Sequence, residues 1–512
     1  MLDRFFLSPV RVAIAVFFTA VAFYLIAGWD VGEDALDSDT LSLVLQWKLI
    51  RTGVVLDDWI LSTPKFLPVV VDGPLYELGR GGAVLARSLL TSSLLVALAA
   101  AFVHMAAGRQ ASLAAAGLLL LNRTIFTTAF GGNSTALYTT FLIGSALCFV
   151  KWPSRRPVVA GLLLLFGASL TRVEGLSYLG LAAVALFAAS WKRDRKFSFL
   201  SAIVAAGLIA TVFLADLWVP TTLSGRLRSG RSVTLELNER AKQIAELRQG
   251  EEIYAEAVAR IEQGYAETAL HLLGSAMRPL FLYGPLGLAG LIWLRGRAPL
   301  PVLIVSLLGA APLVYCAVLH FLGVALFERF YLPTAVAMVM ATSFALQGAV
   351  ARSTKLNSRK LAWAGLATVA VLPAGLLGIG GRDIYYHKSG YLLWRTANLR
   401  QYAEGLEQLK DTDLSNKQIL VYGWHYAYTN LVLDTSVPKV RHDSDALILG
   451  VPGDRLSEFD YLLYGEGDAD VDSLFKGMVC GAGSCRLETG VARFETFWVS
   501  PRGEFKFFRK GI

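Results

Sequence analysis

Two kinds of residue along this chain could do chemistry together: carboxylates gathered where the first apolar stretch ends, and arginines set in later short turns. Residues 28–40 read GWDVGEDALDSDT and hold five acids, Asp30, Glu33, Asp34, Asp37 and Asp39. LTRVEG (170–175) and FERFYLP (327–333) carry Arg172 and Arg329 beside Glu174, Glu328 and Tyr331. A placed carboxylate can take the proton of an attacking hydroxyl, a contribution of about 10²–10⁴-fold in rate. A guanidinium gives permanent, fork-shaped contact to a phosphate. The simpler reading of each arginine is an ion pair, with Glu174 and Glu328 as local partners. The simpler reading of any one acid is a hydrated loop that enforces topology.

The acids are not equivalent. The run does not fit an EF-hand loop, which needs acids at alternate positions, a central Gly and a closing Glu. After Asp39 the chain reads TLSLVLQWKLIRTG, with Leu41, Val44, Leu45, Lys48 and Leu49 at helical spacing. The last acids therefore sit at a helix N-terminus, where the dipole favours negative charge. Asp37, Ser38 or Asp39 can serve as the N-cap. Asp30, Glu33 and Asp34 are read as hydrated spacer. Further on, Asp58–Trp59 follows the helix, and Asp72–Gly73–Pro74–Leu75–Tyr76 stands just before the second apolar span. His320 lies close before Arg329, and Arg226 and Arg228 lie in TTLSGRLRSGRS. These can contact an anion, with helix packing and lipid headgroups as the respective alternatives.

The elements that must hold these residues are membrane helices. Hydrophobic residues make up 54% of the 512, only 17% are charged, and the mean hydropathy is +0.51. Eleven spans are expected, at about 10–28, 83–107, 111–128, 135–150, 158–171, 174–190, 198–218, 277–294, 300–322, 331–350 and 361–379. The net charge of +8 does not indicate nucleic acid, because the basic residues lie in short loops between the spans. Six such loops fall on one side if eleven spans are right, which places the N-terminus in the cytoplasm. The opposite side then receives loop 29–82, the turns GGNST (131–135) and LTRVEG, the segment 219–276, FERFY and the tail. Within the segment, 234–274 reads as an amphipathic helix or helical hairpin on the membrane or core. GGNST contains the sequon Asn133–Ser134–Thr135, to which no role is assigned.

The division expected is a transmembrane module over 1–380 and an extracytoplasmic α/β domain over 381–512. In the tail, QILVYGWHY, TNLVLDT, DALILGV and FDYLLYG read as short β runs after a polar helix at about 391–411. Trp424 and His425 can help seat an acceptor, or can simply be packed aromatics. Cys480 and Cys485 enclose GAGS and suit a local disulfide in an oxidising compartment. Cys148 and Cys316 lie in spans and read as small buried apolar groups.

Several of these stretches, in order and on one membrane side, resemble the GT-C glycosyltransferases that use lipid-phosphate sugars. The likeness is to their protein-mannosyltransferase and aminoarabinose-transferase branches. The first external loop of that family has an acidic pair, a helix ending in TG, a DW, and a Pro-Pro-Leu-Tyr-like lead into the second helix. Counting back from Thr52–Gly53, the acidic pair falls on Ser38–Asp39 with Asp37 beside it, so Asp37 and Asp39 compete for its role. Val71–Asp72–Gly73–Pro74 stands where a Lys often precedes Pro-Pro, which removes one phosphate contact of the family. LTRVEG resembles the family's TRPEG turn, FERFYLP its ERYLLP lead into a late helix, and VYGWHYAYTNLVLD its external C-terminal domains.

The resemblance implies an integral enzyme of the cell's inner (plasma) membrane. It would move a sugar from a polyprenyl-phosphate donor to a glycan, lipid or protein acceptor, with inversion. Asp39 or Asp37 would act as base. Arg329, Tyr331, Arg172, Arg226, Arg228 and His320 would meet the donor phosphate, and Asp58, Trp59, Asp72 and Glu174 the acceptor. A divalent cation between Asp39 and Asp58 or Asp72 is a further option. The alternatives are a transporter or flippase of lipid-linked glycans and a non-catalytic assembly subunit. Against the first, no internal repeat is visible and the charges gather at the rim, not at mid-bilayer.

Overall fold

A computed structural model describes residues 8–32, 35–52, 66–150, 155–172, 174–191, 202–212, 283–321, 328–353, 359–410, 412–414, 417–421, 425–433, 440–442, 459–465, 478–481, 484–488 and 493–511. The segment 234–274, Glu33, Asp34, Asp58, Trp59, Arg226, Arg228, Trp424 and DALILGV lie outside the described residues, as do the side chains of Asp39, His320, Glu328, Cys480 and Cys485.

Helix α1 (Pro9–Ala27) shows how sequence and surroundings set these elements. Its Val12, Val16, Ala20 and Tyr24 recur every fourth residue and are buried against the other helices. Val10, Phe18, Leu25 and Ile26 on the remaining faces are exposed. A helix apolar on all sides, yet buried on one stripe only, is solvated by lipid on the rest.

The helices continue as α2 (Ser38–Thr52), α3 (Phe66–Ala107), α4 (Arg109–Leu120), α5 (Arg123–Gly131), α6 (Ser134–Val150), α7 (Arg155–Thr171) and α8 (Gly175–Trp191). They are followed by α9 (Ala202–Val212), α10 (283–295), α11 (Pro299–Phe321), a 3₁₀ turn (Glu328–Tyr331), α12 (Leu332–Ser353) and α13 (Arg359–His387). Every expected span overlaps one of these. Among the described residues four helices are long and apolar enough to cross a bilayer, and α4 with α5 forms a broken pair bent by 57°. Helices α6, α7, α8 and α9 are shorter and apolar.

Helix α3 begins earlier than the apolar pattern indicates, so Asp72–Gly73–Pro74 is helical and not part of a loop. Its two limbs meet at Gly79 and Arg80, where Arg80 takes φ 55° and ψ −150°. That conformation is strained for a residue with a Cβ. The first limb lies on α2: a Cβ at Gly73 would fall 2.1 Å from Trp47 Cγ, so only glycine allows the indole to sit there. Trp47 Nε1 donates to Glu77 at 3.2 Å and Arg51 pairs with Glu77 at 2.7 Å.

Helix α13 runs through the expected boundary at 380–381. A π-helical turn (Lys388–Leu392) follows, then α14 (Leu393–Lys410). The tail folds as a seven-stranded mixed sheet of order β2-β1-β3-β7-β6-β5-β4. Its strands are β1 (Ile419–Val421), β2 (Val440–His442), β3 (Tyr461–Gly465), β4 (Met478–Gly481), β5 (Ser484–Glu488), β6 (Arg493–Val499) and β7 (Phe505–Lys510). Strands β2, β1 and β3 are parallel and the rest antiparallel. The register sets Cys480 opposite Cys485 across β4 and β5.

TNLVLDT does not form the expected strand. Helix α15 (Tyr426–Val432) takes in its first four residues, because Ala427 and Leu431 are one helical turn apart and face the same core. That core is not the tail's alone. Leu36, Leu41, Val44 and Leu45 of the acidic loop and α2 pack with Tyr402, Leu406, Ile419 and Phe507. Burial of the apolar face of α2 thus fixes the tail directly over the acidic loop.

Candidate functional site

The acidic stretch separates into distinct roles. Asp30 is not merely hydrated, for it forms an ion pair with Lys388 of the π turn. Asp37 caps α2: its Oδ1 accepts from the Thr40 backbone N–H at 2.8 Å and from Thr40 Oγ1 at 2.7 Å. Its backbone N–H donates to the Gly131 carbonyl at 2.8 Å. Its Oδ2 accepts from Asn133 Nδ2 at 3.0 Å and faces Arg329 Nη1 at 3.4 Å. Loop 28–37, the GGNST turn and the FERFY turn therefore converge on one carboxylate.

The turn is shaped to permit this. Gly132 ends α5 with φ 75°, the left-handed conformation that glycine adopts without cost. A Cβ on Gly132 would fall 2.7 Å from Leu36 Cδ2. Asn133 Oδ1 accepts from the Thr135 backbone N–H at 2.8 Å and from its hydroxyl at 2.7 Å. Asn133, Ser134 and Thr135 are all buried, so the sequon is an internal hydrogen-bonding turn.

Arg172 donates to Thr135 Oγ1 at 3.1 Å and pairs with Glu174 at 2.7 Å. Its guanidinium lies over the Phe330 ring, 4.6 Å from the centroid. The ion pair weighed against a phosphate role is thus present, and it braces the FERFY turn from behind. Arg172 and Glu174 border a separate cavity of about 20 Å³, room for about one water. Tyr331 hydrogen-bonds Cys316 of α11 and does not line the space around Asp37.

Asp72 is also engaged. Arg87 of the second limb of α3 donates Nε to Oδ1 and Nη2 to Oδ2, both at 2.8 Å. The same Nη2 lies 2.8 Å from the Gly132 carbonyl. Both oxygens of Asp72 are therefore taken by the pair that clamps the kink. Of the oxygens considered for a cation, Asp39 and Asp58 are not described. Among the described residues no group of three or more His, Cys, Asp or Glu side chains could hold a metal ion.

Asp37 and Arg329 open onto a cavity of about 400 Å³ between the membrane helices and the tail. Thr127, Thr128 and Asn133 form one wall; Tyr391, Arg395, Asn398, His425 and Tyr428 form the other. Arg395 supplies a second guanidinium and donates to the Leu36 carbonyl at 2.6 Å, tying α14 to the acidic loop. His425 is both packed and at the wall. Its ring stacks on Tyr402 with centroids 4.3 Å apart. Burial and the Arg395 charge lower its pKa to about 4.

Sequence reasoning singled out Asp37 and Arg329, and the structure brings them together. It missed Arg87, Asn133 and Arg395, whose partners are distant in the chain. Arg87 left a trace, as the one Asp, Glu, Lys or Arg within the expected span 83–107.

No protein-family model and no curated protein matches the chain. Solved structures do. ArnT from Cupriavidus metallidurans in the apo state aligns at TM-score 0.53 and 15% identity, covering 83% of this chain and 84% of its own. The same protein bound to undecaprenyl phosphate aligns over 97% of both chains at TM-score 0.52 and 12% identity. The oligosaccharyltransferase AglB from Archaeoglobus fulgidus, in complex with an inhibitory peptide and a dolichol-phosphate, aligns at TM-score 0.52 and 11% identity over 88% of this chain and 69% of its own. The chain thus shares, over most of its length, the fold of the GT-C membrane glycosyltransferases ArnT and AglB.

Proposed function

We propose that this chain is an inverting glycosyltransferase that moves a sugar from a polyprenyl-phosphate donor to an extracytoplasmic acceptor, with Asp37 as general base. The N-terminus is cytoplasmic in this reading, and the tail covers the site on the outer face of the inner membrane. The observation that carries it is Asp37 facing Arg329 at the wall of one 400 Å³ cavity, within a GT-C fold.

The chemistry balances on these two groups. The acceptor hydroxyl gives its proton to Asp37 Oδ2 as its oxygen bonds to the anomeric carbon. The carbon–oxygen bond to phosphate breaks, and the polyprenyl phosphate leaves with the electron pair. Arg329 meets that charge, with Arg395 as a second cation in the same cavity. The contact between Asp37 and Arg329 is long, at 3.4 Å, and both side chains border the same cavity, where a phosphate can reach the guanidinium. Oδ1 stays occupied by the helix cap, so Oδ2 is the atom that works. Arg172 and Glu174 act through Phe330 and Thr135, as a brace. Cys480 and Cys485, opposite each other at the sheet edge, are assigned a disulfide consistent with an oxidising compartment.

The test is turnover by the purified full-length chain with a panel of polyprenyl-phosphate sugars, read by mass spectrometry of acceptors. Asp37→Asn is expected to abolish transfer, while Asp39→Asn retains it. Full activity in Asp37→Asn overturns the assignment.

A further inference from the structure

A second cavity, of about 440 Å³, lies one turn of α5 away from the first. Its walls are the start of α5 and the end of α13, with Arg123, Arg382 and His387 among the lining groups and Asp383 as the lining carboxylate. Arg382 is on an exposed position, with its guanidinium 5.5 Å from the Tyr386 ring centroid. His387 stacks on Tyr391 at 5.0 Å, and its Nε2 is buried without a hydrogen-bond partner. Buried polar atoms are nearly always satisfied, so an orphan at a cavity wall points to a missing ligand.

The surroundings say where such a ligand comes from. Tyr385, Tyr386, Tyr391 and Trp394 are all 41–68% exposed on the stretch that follows the apolar part of α13. Exposed Tyr and Trp at the end of an apolar helix mark the membrane–water interface. The basic residues Arg382 and Lys388 sit at this end, which the topology places outside, against the usual charge bias. The helix also changes to a π turn at Lys388–Leu392, a local irregularity often found at functional sites.

We propose that the Arg123–Arg382–His387 cavity is a binding site for a phosphate group carried by an anionic lipid headgroup of the outer leaflet. The two guanidinium groups meet the phosphate oxygens, the exposed tyrosines lie at headgroup level, and His387 Nε2 bonds a headgroup oxygen. The acyl chains stay in the bilayer beside Ile379. Tyr391 lines both cavities, and Arg123 and Thr127 are one turn apart on the same face of α5. A lipid seated here thus stands next to the Asp37 cavity, and this site does not depend on the transfer reading.

Native mass spectrometry of the full chain released from phosphatidylcholine nanodiscs, with and without phosphatidylglycerol, tests it. The wild type is expected to retain phosphatidylglycerol in preference to phosphatidylcholine. Arg382→Gln should retain about fivefold less, and Arg382→Lys should keep most of the preference. Asp37→Asn should leave retention unchanged even where transfer is lost, which separates this site from the catalytic reading. Equal retention by wild type and Arg382→Gln overturns the proposal. A second arm adds inorganic phosphate to the chain in phosphatidylcholine alone. Thermal stabilisation by phosphate that Arg382→Gln abolishes would make free phosphate the ligand and overturn the lipid assignment.

Discussion

Asp37 and Asp72 each face an arginine beside the same GGNST turn, and the two pairs are built differently. Asp72 meets Arg87 through two bonds of 2.8 Å with its carboxylate 1% exposed. Asp37 meets Arg329 through one contact of 3.4 Å, with side chains 12% and 23% exposed beside a cavity. The first geometry leaves nothing for a ligand. The second leaves Oδ2 and a guanidinium within reach of one. Both pairs hook to the turn, Arg87 through the Gly132 carbonyl and Asp37 through Gly131 and Asn133. The closed pair sets the height of the turn against which the open pair is poised.

The sharpest way to separate them is to neutralise each carboxylate. Asn caps helices about as well as Asp, so Asp37→Asn keeps α2 and removes the base. Transfer is expected to fall by about 10²–10⁴-fold with the melting temperature nearly unchanged. Asp72→Asn should do the reverse. It leaves Arg87 charged and uncompensated, a loss of about 3–5 kcal/mol for a buried pair, seen as a large drop in melting temperature. If Asp72→Asn melts like the wild type and has lost turnover, the closed pair is catalytic and the contrast fails.

Lysine in place of each arginine sharpens the contrast. Arg329→Lys keeps a charge but loses the fork, and should lower transfer by about 10- to 100-fold, the order of one charge-assisted hydrogen bond. Arg87→Lys cannot satisfy both Asp72 oxygens and Gly132 together, so its effect is expected in stability. Asn133→Ala touches only the open pair, removing the Oδ2 bond and the local cap of Thr135. It should cost about 1 kcal/mol and lower transfer modestly, measured on the same preparation.

The physical basis of these pairs decides what could be read in the sequence. Membrane helices were legible because lipid imposes long apolar runs, and each expected span overlaps a helix. The end of α3 nearest the acidic loop was not, since Asp72, Gly73 and Pro74 are poor helix formers whose helicity depends on Trp47 and Arg87. The strand reading of TNLVLDT failed because seven residues cannot distinguish a buried strand from a helix by composition alone. Asp37 was legible as one of three N-cap candidates. Its distinction from Ser38 and Asp39 rests on Gly131 and Asn133, more than 90 residues away, and no local pattern carries that. The triplet Asn133–Ser134–Thr135 carries no local sign that the Asn133 amide is turned inward to hold a carboxylate.

The cavity wall opposite the open pair offers the gentlest probe of the same contrast. His425 is held with its pKa near 4, first by burial and then by the Arg395 charge, against about 6.5 when unfolded. The unfolded chain therefore binds the proton more readily, and stability falls as pH drops from about 6.5 toward 4. Above 6.5 the contribution is fully present. At pH 6 the loss is on the order of 1 kcal/mol, growing as pH falls further. His425→Gln should flatten the dependence of the melting temperature over this window, without removing transfer at neutral pH. The closed Asp72–Arg87 pair lies away from this ring, so Asp72→Asn should lower the melting temperature throughout the window and leave the slope due to His425 in place. A slope that persists unchanged in His425→Gln would remove His425 as its source.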